Sequence, residues 1–330
     1  MGVNSLASED SAVSVQVRCP HCSALGLVSD EYLGVPILCG TCKRSFWMRS
    51  PLAAPPGGTG AELATISSAI VHFEVGGVTS AGRVRTKNED SFLAQLLLWS
   101  GHERRGETAL VVVADGLGGH EAGEEASAMV VRSLGGALLA LLSGEATGRG
   151  GLTAKGITET IESAMQEANR EVHARAKQEA LRKGMGATAA VVVAREGEAR
   201  VGHVGDARVY HQRGDRLTQV TKDQTLAARM VELGRLSPKE ALVHPARNDV
   251  YQAIGHHPNL KPAHYDLRLT PGDWLIVTSD GLHAHVGAEE LQQAVAKAEP
   301  SAAKLAAALV DLTNQKGGTD NCTVVVVRCY

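Results

Sequence analysis

The chain has 330 residues, of which 44% are apolar but only 3% aromatic, so its core has to be built from aliphatic side chains. A formal net charge of −3 gives no reason to expect binding to nucleic acid or to an anionic membrane. We expect the longest apolar stretches to be far too short to span a bilayer, and the N-terminus lacks the basic and apolar regions of a signal peptide. We therefore expect a cytoplasmic protein with reduced thiols.

The N-terminal part of the chain contains a cysteine pattern. Residues 1–14 are polar and are expected to be disordered, and residues 51–65 form a Pro/Gly-rich linker. Between them, residues 15–50 carry the spacing C-x₂-C-x₁₆-C-x₂-C at Cys19, Cys22, Cys39 and Cys42. This spacing favours a zinc-ribbon-like module with one structural Zn²⁺, and a redox pair or two disulfides are the alternatives.

The remaining residues, 66–330, are expected to form one large domain. Short turns predict two β-hairpins, Ala189–Ala194 with Ala199–Val204 and Ala207–Gln212 with Leu217–Val220. Helical periodicity occurs in Glu121–Leu142, Ile157–Leu181, Leu226–Leu233 and Ala302–Thr313. Hairpins combined with long amphipathic helices indicate antiparallel sheets covered by helices, an α+β architecture.

Acidic residues stand at the ends of several apolar runs. Two of these positions follow an apolar run and the other two precede one. Positions of both kinds reach the same sheet edge only if the strands that carry them run antiparallel. The positions are Asp115-Gly116, Asp280-Gly281, Glu89-Asp90 and Asp320-Asn321. A single Asp-Gly pair is more often an ordinary turn. The whole series predicts a metal-dependent hydrolase, because gathered carboxylates repel each other unless hard cations such as Mg²⁺ or Mn²⁺ lie between them.

Six motifs then occur in a fixed order along the chain. They are Ser80-Ala-Gly-Arg-Val-Arg85-Thr-Lys-Asn-Glu89-Asp90, Asp115-Gly-Leu-Gly-Gly-His120, Gly184-Met-Gly-Ala-Thr188, Val204-Gly-Asp206, Ser279-Asp280-Gly281 and Thr319-Asp320-Asn321. The set resembles the metal-dependent PP2C-type (PPM) protein serine/threonine phosphatases, especially their bacterial branch, over roughly residues 70–330. The resemblance implies a four-layer αββα sandwich, with two antiparallel sheets flanked by helices.

The resemblance also implies a set of metal ligands. Asp115 would bridge two Mn²⁺ or Mg²⁺ ions, and the carbonyl of Gly116 would bind one of them. Asp280 and Asp320 would complete the coordination of the other ion. Asp206 matches a residue that, together with Asp280, binds a third and weaker ion in the family.

Other residues of the matched motifs would act around these ions. Glu89 and Asp90 would hold metal-bound waters, and Arg85 would bind the substrate phosphate. Leu117 stands where eukaryotic relatives carry a histidine that is often proposed as the general acid. His120, three residues further on, is either catalytic or a cap of the following helix.

The implied reaction is hydrolysis of phosphomonoesters by a metal-bridging water or hydroxide, without a covalent side-chain nucleophile. The partners would be Ser/Thr-phosphorylated proteins, a cognate kinase or its targets. The alternative is a regulatory phosphatase-like sensor or binding module that acts through its zinc ribbon. A zinc-ribbon nucleic-acid binder ranks last, because the chain is net acidic. Structural or surface roles are expected for His283 and His285.

Overall fold

The computed structural model describes residues 14–19, 22, 24–29, 36–43, 45–47, 71–100, 105–118, 122–146 and 152–330. The chain divides into two compact units, Met1–Ile66 and Ser67–Tyr330. The expected disordered segment, apart from Ser14, and the whole of the expected linker at 51–65 lie outside the described residues.

The described part of the first unit consists of two antiparallel hairpins. Their strands are β1 (Ser14–Arg18) with β2 (Leu25–Ser29), and β3 (Pro36–Leu38) with β4 (Ser45–Trp47). One cysteine, Cys19, directly follows β1, and another, Cys39, directly follows β3. Each hairpin therefore carries one of the two cysteine pairs in its connection.

The second unit contains eleven strands and seven α-helices among its described residues. The strands are β5 (Phe73–Ser80), β6 (Asp90–Ser100), β7 (Arg105–Leu117), β8 (Gly186–Ala187), β9 (Ala189–Arg195), β10 (Glu198–Val204), β11 (Arg208–Arg213), β12 (Arg216–Gln219), β13 (Ala263–Arg268), β14 (Trp274–Thr278) and β15 (Cys322–Cys329). The helices are α1 (Ala122–Ala146), α2 (Ala154–Gln178), α3 (Leu226–Glu232), α4 (Pro238–Val243), α5 (Asp280–His285), α6 (Ala288–Ala296) and α7 (Ala302–Gln315).

The strands form two antiparallel sheets. The first sheet has the order β13-β10-β9-β7-β6, with β8 paired to the end of β7, and the second has the order β12-β11-β14-β15-β5. Alternate residues of β7 face opposite sides: Val111 and Val113 pack between the sheets, while Val112 and Ala114 pack against α1 and α2. Both faces of this strand are buried, which explains why its sequence is a continuous apolar run rather than an alternating one.

The second sheet is covered in the same way on its outer face. Ile276 of β14 and Val326 of β15 pack with Leu291 of α6 and with Leu305 and Leu309 of α7. The result is a four-layer αββα sandwich, as the family resemblance implies. Both predicted hairpins and all four predicted helical segments are present. Helices α4 and α5 were not foreseen because six residues are too few to display clear periodicity, and α6 was missed as well.

Helix α1 corrects the expectation that no apolar stretch is long enough for a membrane. Residues Ala122–Gly144 are long and apolar enough to cross one, by length and composition alone. The buried stripe of this helix, Ala126, Val130, Leu134 and Leu138, is fully enclosed by the first sheet and α2. Packing on the sheet therefore accounts for the apolar character of this helix.

Candidate active site

The first sheet places two acidic positions opposite each other at one edge. β6 begins at Asp90 and β7 runs past Asp115, and the antiparallel register pairs these two residues directly. The backbone N–H of Gly116 donates to the carbonyl of Glu89 at 3.1 Å, which extends the pairing by one further step. This register brings Glu89-Asp90 and Asp115 together at one sheet edge, whereas Asp280 and Asp320 belong to the second sheet, so the four positions do not share a single sheet edge as predicted.

The second sheet brings its two acids to an equivalent edge. β14 and β15 are antiparallel, Asp280 begins the helix that follows β14, and Asp320 lies just before β15. The N–H of Ser279 donates to the carbonyl of Thr323 at 3.1 Å, so the two acidic segments leave the sheet side by side.

Two hydroxyl groups join the edges of the two sheets. The Oγ of Ser279 and the Oγ1 of Thr323 each donate to Oδ2 of Asp90 at 2.7 Å, and both residues are fully buried. The other oxygen of this carboxylate, Oδ1, is buried without a hydrogen-bond partner. Sequence reasoning missed these two hydroxyls, and the available signal was their position beside Asp280 and within the strand that follows Asp320.

Asn321 links three backbone segments at the same edge. Its Oδ1 accepts from the N–H of Glu89 at 2.8 Å, and its Nδ2 donates to the carbonyls of Ala81 and Lys87 at 3.0 and 2.8 Å. One side-chain amide thus fixes the loop that carries Arg85 and Glu89 onto the loop that carries Asp320. Sequence reasoning assigned no role to this asparagine.

The gathered carboxylates perturb one another. Burial, with the charges of Asp280 and Asp320 adding to it, raises the pKa of Asp90 to about 7. Burial, with the charge of Asp280 adding to it, likewise raises the pKa of Asp206 to about 8. The pKa of Asp115 is raised well above its usual value, and that of Asp280 is raised too, first by burial and then by neighbouring acids. These directions are those of negative charges confined together away from water.

Tight backbone contacts place the carbonyl side of the Asp115-Gly116 turn against the start of α1. A Cβ on Gly116 would lie 2.1 Å from the carbonyl oxygen of Gly123. A Cβ on Gly123 would lie 2.9 Å from Oε1 of Glu89 and 3.0 Å from the carbonyl oxygen of Gly116. The carboxylate of Glu89 and this carbonyl therefore both lie close to Gly123.

Arg85 lies at the exposed rim of the site. Its Nη2 donates to Oδ2 of Asp320 at 2.9 Å, and about half of its side chain is exposed. The preceding turn contains Gly82, whose φ is +79° and whose Cβ would lie 2.3 Å from the carbonyl oxygen of Asp320. Only glycine fits this turn, and it holds the arginine loop down on the acidic loop.

Asp206 lies on the turn between β10 and β11, and the segment after β12 supports that turn. The N–H of Gly205 donates to Oε1 of Gln224, and the N–H of Gln224 donates to the carbonyl of Gly205, both at 2.8 Å. Asp223 accepts two hydrogen bonds from the guanidinium of Arg208, at 2.8 and 2.5 Å. Sequence reasoning missed the Arg208–Asp223 pair.

The predicted histidines have different outcomes. His120 lies outside the described residues, so its role stays a prediction. Burial, together with the charge of Arg208, lowers the pKa of His283 to about 3, so this ring is neutral. His285 contacts the segment before Asp320 through Thr319.

The four N-terminal cysteines form a separate cluster. Their Sγ atoms all lie within 4.8 Å of one another. The Sγ atoms of Cys19 and Cys42 are 3.7 Å apart, and those of Cys22 and Cys39 are 3.6 Å apart. All four thiols are free, so the alternative of two disulfides is not what the structure contains.

A helix-covered double sheet with acids from both sheets at one end defines a hydrolase of the αββα phosphatase class. The chain belongs to the protein phosphatase 2C family, whose sequence profile matches residues 79–318. It is accordingly a protein phosphatase, an enzyme that hydrolyses phosphoric monoesters.

Individual relatives agree with this placement. The protein phosphatase PhpP of Streptococcus pneumoniae is 32% identical over 255 residues, which cover 77% of this chain and 97% of PhpP. The serine/threonine phosphatase Stp1 of Staphylococcus aureus superimposes with a TM-score of 0.66 at 26% identity, covering 82% of this chain and 98% of Stp1. The serine/threonine phosphatase PstP of Mycobacterium tuberculosis gives a TM-score of 0.64 at 30% identity, covering 78% and 98%. A crystal structure of the PstP catalytic domain is in complex with two manganese ions.

Proposed function

We propose that the chain is a Mn²⁺- or Mg²⁺-dependent protein serine/threonine phosphatase that uses water to hydrolyse phosphoserine and phosphothreonine. The observation that carries this proposal is the set of acids drawn from both sheets without matching positive charge. Among the described residues, the one ion pair to these acids is that of Arg85 with Asp320. Confined carboxylates of this kind are stable only when protonated or paired with cations, and all-oxygen donors suit hard divalent ions.

The oxygen ligands at this site fit two such ions and a third, weaker one. Asp115, the carbonyl of Gly116, Asp280 and Asp320 would hold two ions, and Asp206 with Asp280 would hold a weaker one. Bound there, the ions would neutralise phosphate charge and lower the pKa of water.

The residues around the ions would position water and substrate. Oδ2 of Asp90 is held by Ser279 and Thr323, which leaves the buried Oδ1 free to accept a hydrogen bond from water. Glu89 would hold water in the same way. Arg85, exposed at the rim, would exchange its contact with Asp320 for a planar two-point contact with phosphate oxygens.

The test is phosphate release from phosphothreonine and phosphoserine peptides by metal-stripped protein. EDTA-treated protein is expected to be inactive, and Mn²⁺ or Mg²⁺ to restore turnover, because the acids alone repel a phosphate dianion. Separate titrations with the two metals measure which one is preferred. Full activity of protein from which all divalent metal has been removed would contradict the proposal.

We expect Arg85→Ala to weaken use of phosphopeptides by roughly 10- to 100-fold in kcat/KM, the loss of one charged hydrogen-bonded contact at about 1.5–3 kcal/mol. Mn²⁺ affinity is expected to stay within a few fold, because the guanidinium would contact phosphate and not the ions. Steady-state kinetics and calorimetric metal titration separate the two effects. Arg83→Ala, which removes an exposed arginine two residues away, is the control. Lost metal affinity with unchanged kinetics at saturating metal would reverse the assignment.

For the N-terminal unit we propose one structural Zn²⁺ bound by Cys19, Cys22, Cys39 and Cys42. A tetrahedral site with Zn–S bonds of about 2.3 Å places its sulfur atoms about 3.8 Å apart, close to the 3.7 Å between Cys19 and Cys42 and the 3.6 Å between Cys22 and Cys39. Four protein thiolates leave no position for water or substrate, so the ion would stabilise the fold rather than catalyse. A redox pair needs two sulfur atoms and does not account for four.

We expect the full-length protein to contain about one zinc per chain by elemental analysis, and Cys39→Ser to lose it. Hydrolysis of a small phosphopeptide should be unchanged by this substitution, because the cysteines belong to a different unit from the carboxylates. Cys329→Ala, which removes a thiol from the core of the phosphatase unit, should retain the zinc. A wild-type protein that contains no zinc, or a Cys39→Ser protein that keeps it, would contradict the assignment.

The physiological partners would be Ser/Thr-phosphorylated proteins, among them a cognate kinase or its targets, and the expected compartment is the cytoplasm. Phosphopeptide profiling with the metal-loaded enzyme tests the substrate class. No observation on the described residues favours the sensor or binding-module alternative.

A further inference from the structure

His285 connects the two chain segments that carry Asp280 and Asp320. The ring lies at the end of α5, which begins with Asp280. Its Nδ1 lies 3.0 Å from the carbonyl oxygen of Gly281. Its Nε2 lies 3.2 Å from the backbone N of Thr319 and 3.0 Å from the Oγ1 of the same residue. Both ring nitrogens are therefore used, one toward each segment.

The partners determine which nitrogen carries the proton. A backbone N–H can only donate, so Nε2 must accept from Thr319. A carbonyl oxygen can only accept, so Nδ1 carries the proton and donates to Gly281. The imidazole thus bridges the two segments, with Nδ1 as the donor and Nε2 as the acceptor.

The junction that this bridge spans is close and electrostatically unfavourable. A Cβ on Gly281 would lie 1.9 Å from the carbonyl oxygen of Asn321, so the start of α5 and the loop before β15 are in backbone contact. The carboxylates of Asp280 and Asp320 repel each other across this junction. Attractive contacts between the segments are needed to keep the carboxylates at a constant separation when no cation is bound.

We propose that His285 is a positioning residue for divalent-metal binding: by joining the Gly281 carbonyl to the Thr319 N–H, it holds Asp280 and Asp320 at the separation that the ions require. This inference rests on the proposed metal site. It assigns His285 no contact with substrate or with the ions. Its effect is on metal affinity and disappears once metal is saturating.

The experiment compares His285→Leu with His285→Gln in the full-length protein. Leucine fills a similar volume without polar atoms, whereas the Oε1 of glutamine can replace Nε2 as the acceptor for the Thr319 N–H. Mn²⁺ binding to metal-stripped protein is measured by calorimetric titration without substrate. We expect His285→Leu to weaken Mn²⁺ binding about five- to tenfold, the loss of roughly one hydrogen bond, and His285→Gln to restore affinity to within about twofold of wild type.

Two further measurements separate positioning from general destabilisation. KM and kcat for a phosphopeptide at saturating Mn²⁺ should be unchanged in both variants. His72→Leu is the control. His72 lies just before β5, at the opposite end of that strand from the site, and the substitution removes its hydrogen bond of 2.8 Å to Glu107. This variant is expected to bind Mn²⁺ as the wild type does, whatever its Tm.

The outcomes are distinct. Wild-type affinity in His285→Leu, or equal loss in the leucine and glutamine variants, would overturn the positioning role while leaving the metal site intact. An equal loss of affinity in His72→Leu would attribute the effect to stability and would also overturn it. A wild-type protein that binds no Mn²⁺ would overturn the proposed function itself, and this inference with it.

Discussion

Asp280→Asn is expected to reduce phosphatase turnover by roughly a thousandfold or more, even at high Mn²⁺. Asp280 is surrounded by the other acids, and its charge is the one that acts on Asp90, Asp115 and Asp206 alike. A neutral amide of the same shape is a poor ligand for a hard cation, and the charge of the ions is what the reaction uses. Loss of a residue that only supports a metal ligand already costs about 10- to 100-fold in metal affinity or activity, so loss of a ligand itself should cost more.

The measurement is kcat for a phosphothreonine peptide over a Mn²⁺ titration, together with direct metal binding. Asp311→Asn, the same change at an exposed position on α7, is the control and should leave turnover within about twofold of wild type. A circular dichroism spectrum like that of the wild type excludes misfolding as the cause. If Asp280→Asn retains more than about a tenth of wild-type turnover, Asp280 is not a metal ligand.

The second large effect concerns the stability of the metal-free protein as pH changes. The pKa of Asp90 is raised from 3.8 to about 7 and that of Asp206 from 3.8 to about 8. For a carboxyl whose folded-state pKa is raised, the native state binds more protons than the unfolded state, so its stabilising contribution is complete below pH 3.8 and is lost as pH rises through the folded pKa. We therefore expect the metal-free protein to lose stability from about pH 4 up to about pH 8.

The size of this loss of stability follows from the shift in the pKa of Asp90. A shift of about three pH units for Asp90 corresponds to on the order of 4 kcal/mol, or a Tm lower by about 10 °C at the alkaline end. Calorimetry in EDTA from about pH 4 to pH 8 measures it. Saturating Mg²⁺ should flatten the dependence, because the ions stabilise the ionised carboxylates.

Asp90→Asn provides a control for this stability effect. The amide has no charge to bury, so the metal-free variant should show a weaker fall in Tm over the same pH range than the wild type. A metal-free wild-type Tm that is constant or rises from about pH 4 to pH 8 would contradict the electrostatic account of the site.

The amino-acid sequence by itself determined the local features of this protein. The apolar run of β7, the two tight hairpins and the four predicted helical segments follow from periodicity and turn residues, which act over a few neighbouring positions. The acids at strand ends and the cysteine spacing were also readable, because each motif is short. The order of six motifs then led to the family, and through the family to the four-layer sandwich, which periodicity alone had indicated only as antiparallel sheets covered by helices.

The tertiary structure decided the contacts that connect distant parts of the chain. The hydroxyls of Ser279 and Thr323 reach Asp90 from 189 and 233 positions away, and Asn321 binds the backbone of Glu89 across 232 positions. No local pattern encodes such distances, because they depend on how two sheets pack face to face. The same packing buries one stripe of α1, which its composition alone does not distinguish from a membrane helix. It also turns His285, one of several histidines in the sequence, into a bridge between two acidic segments.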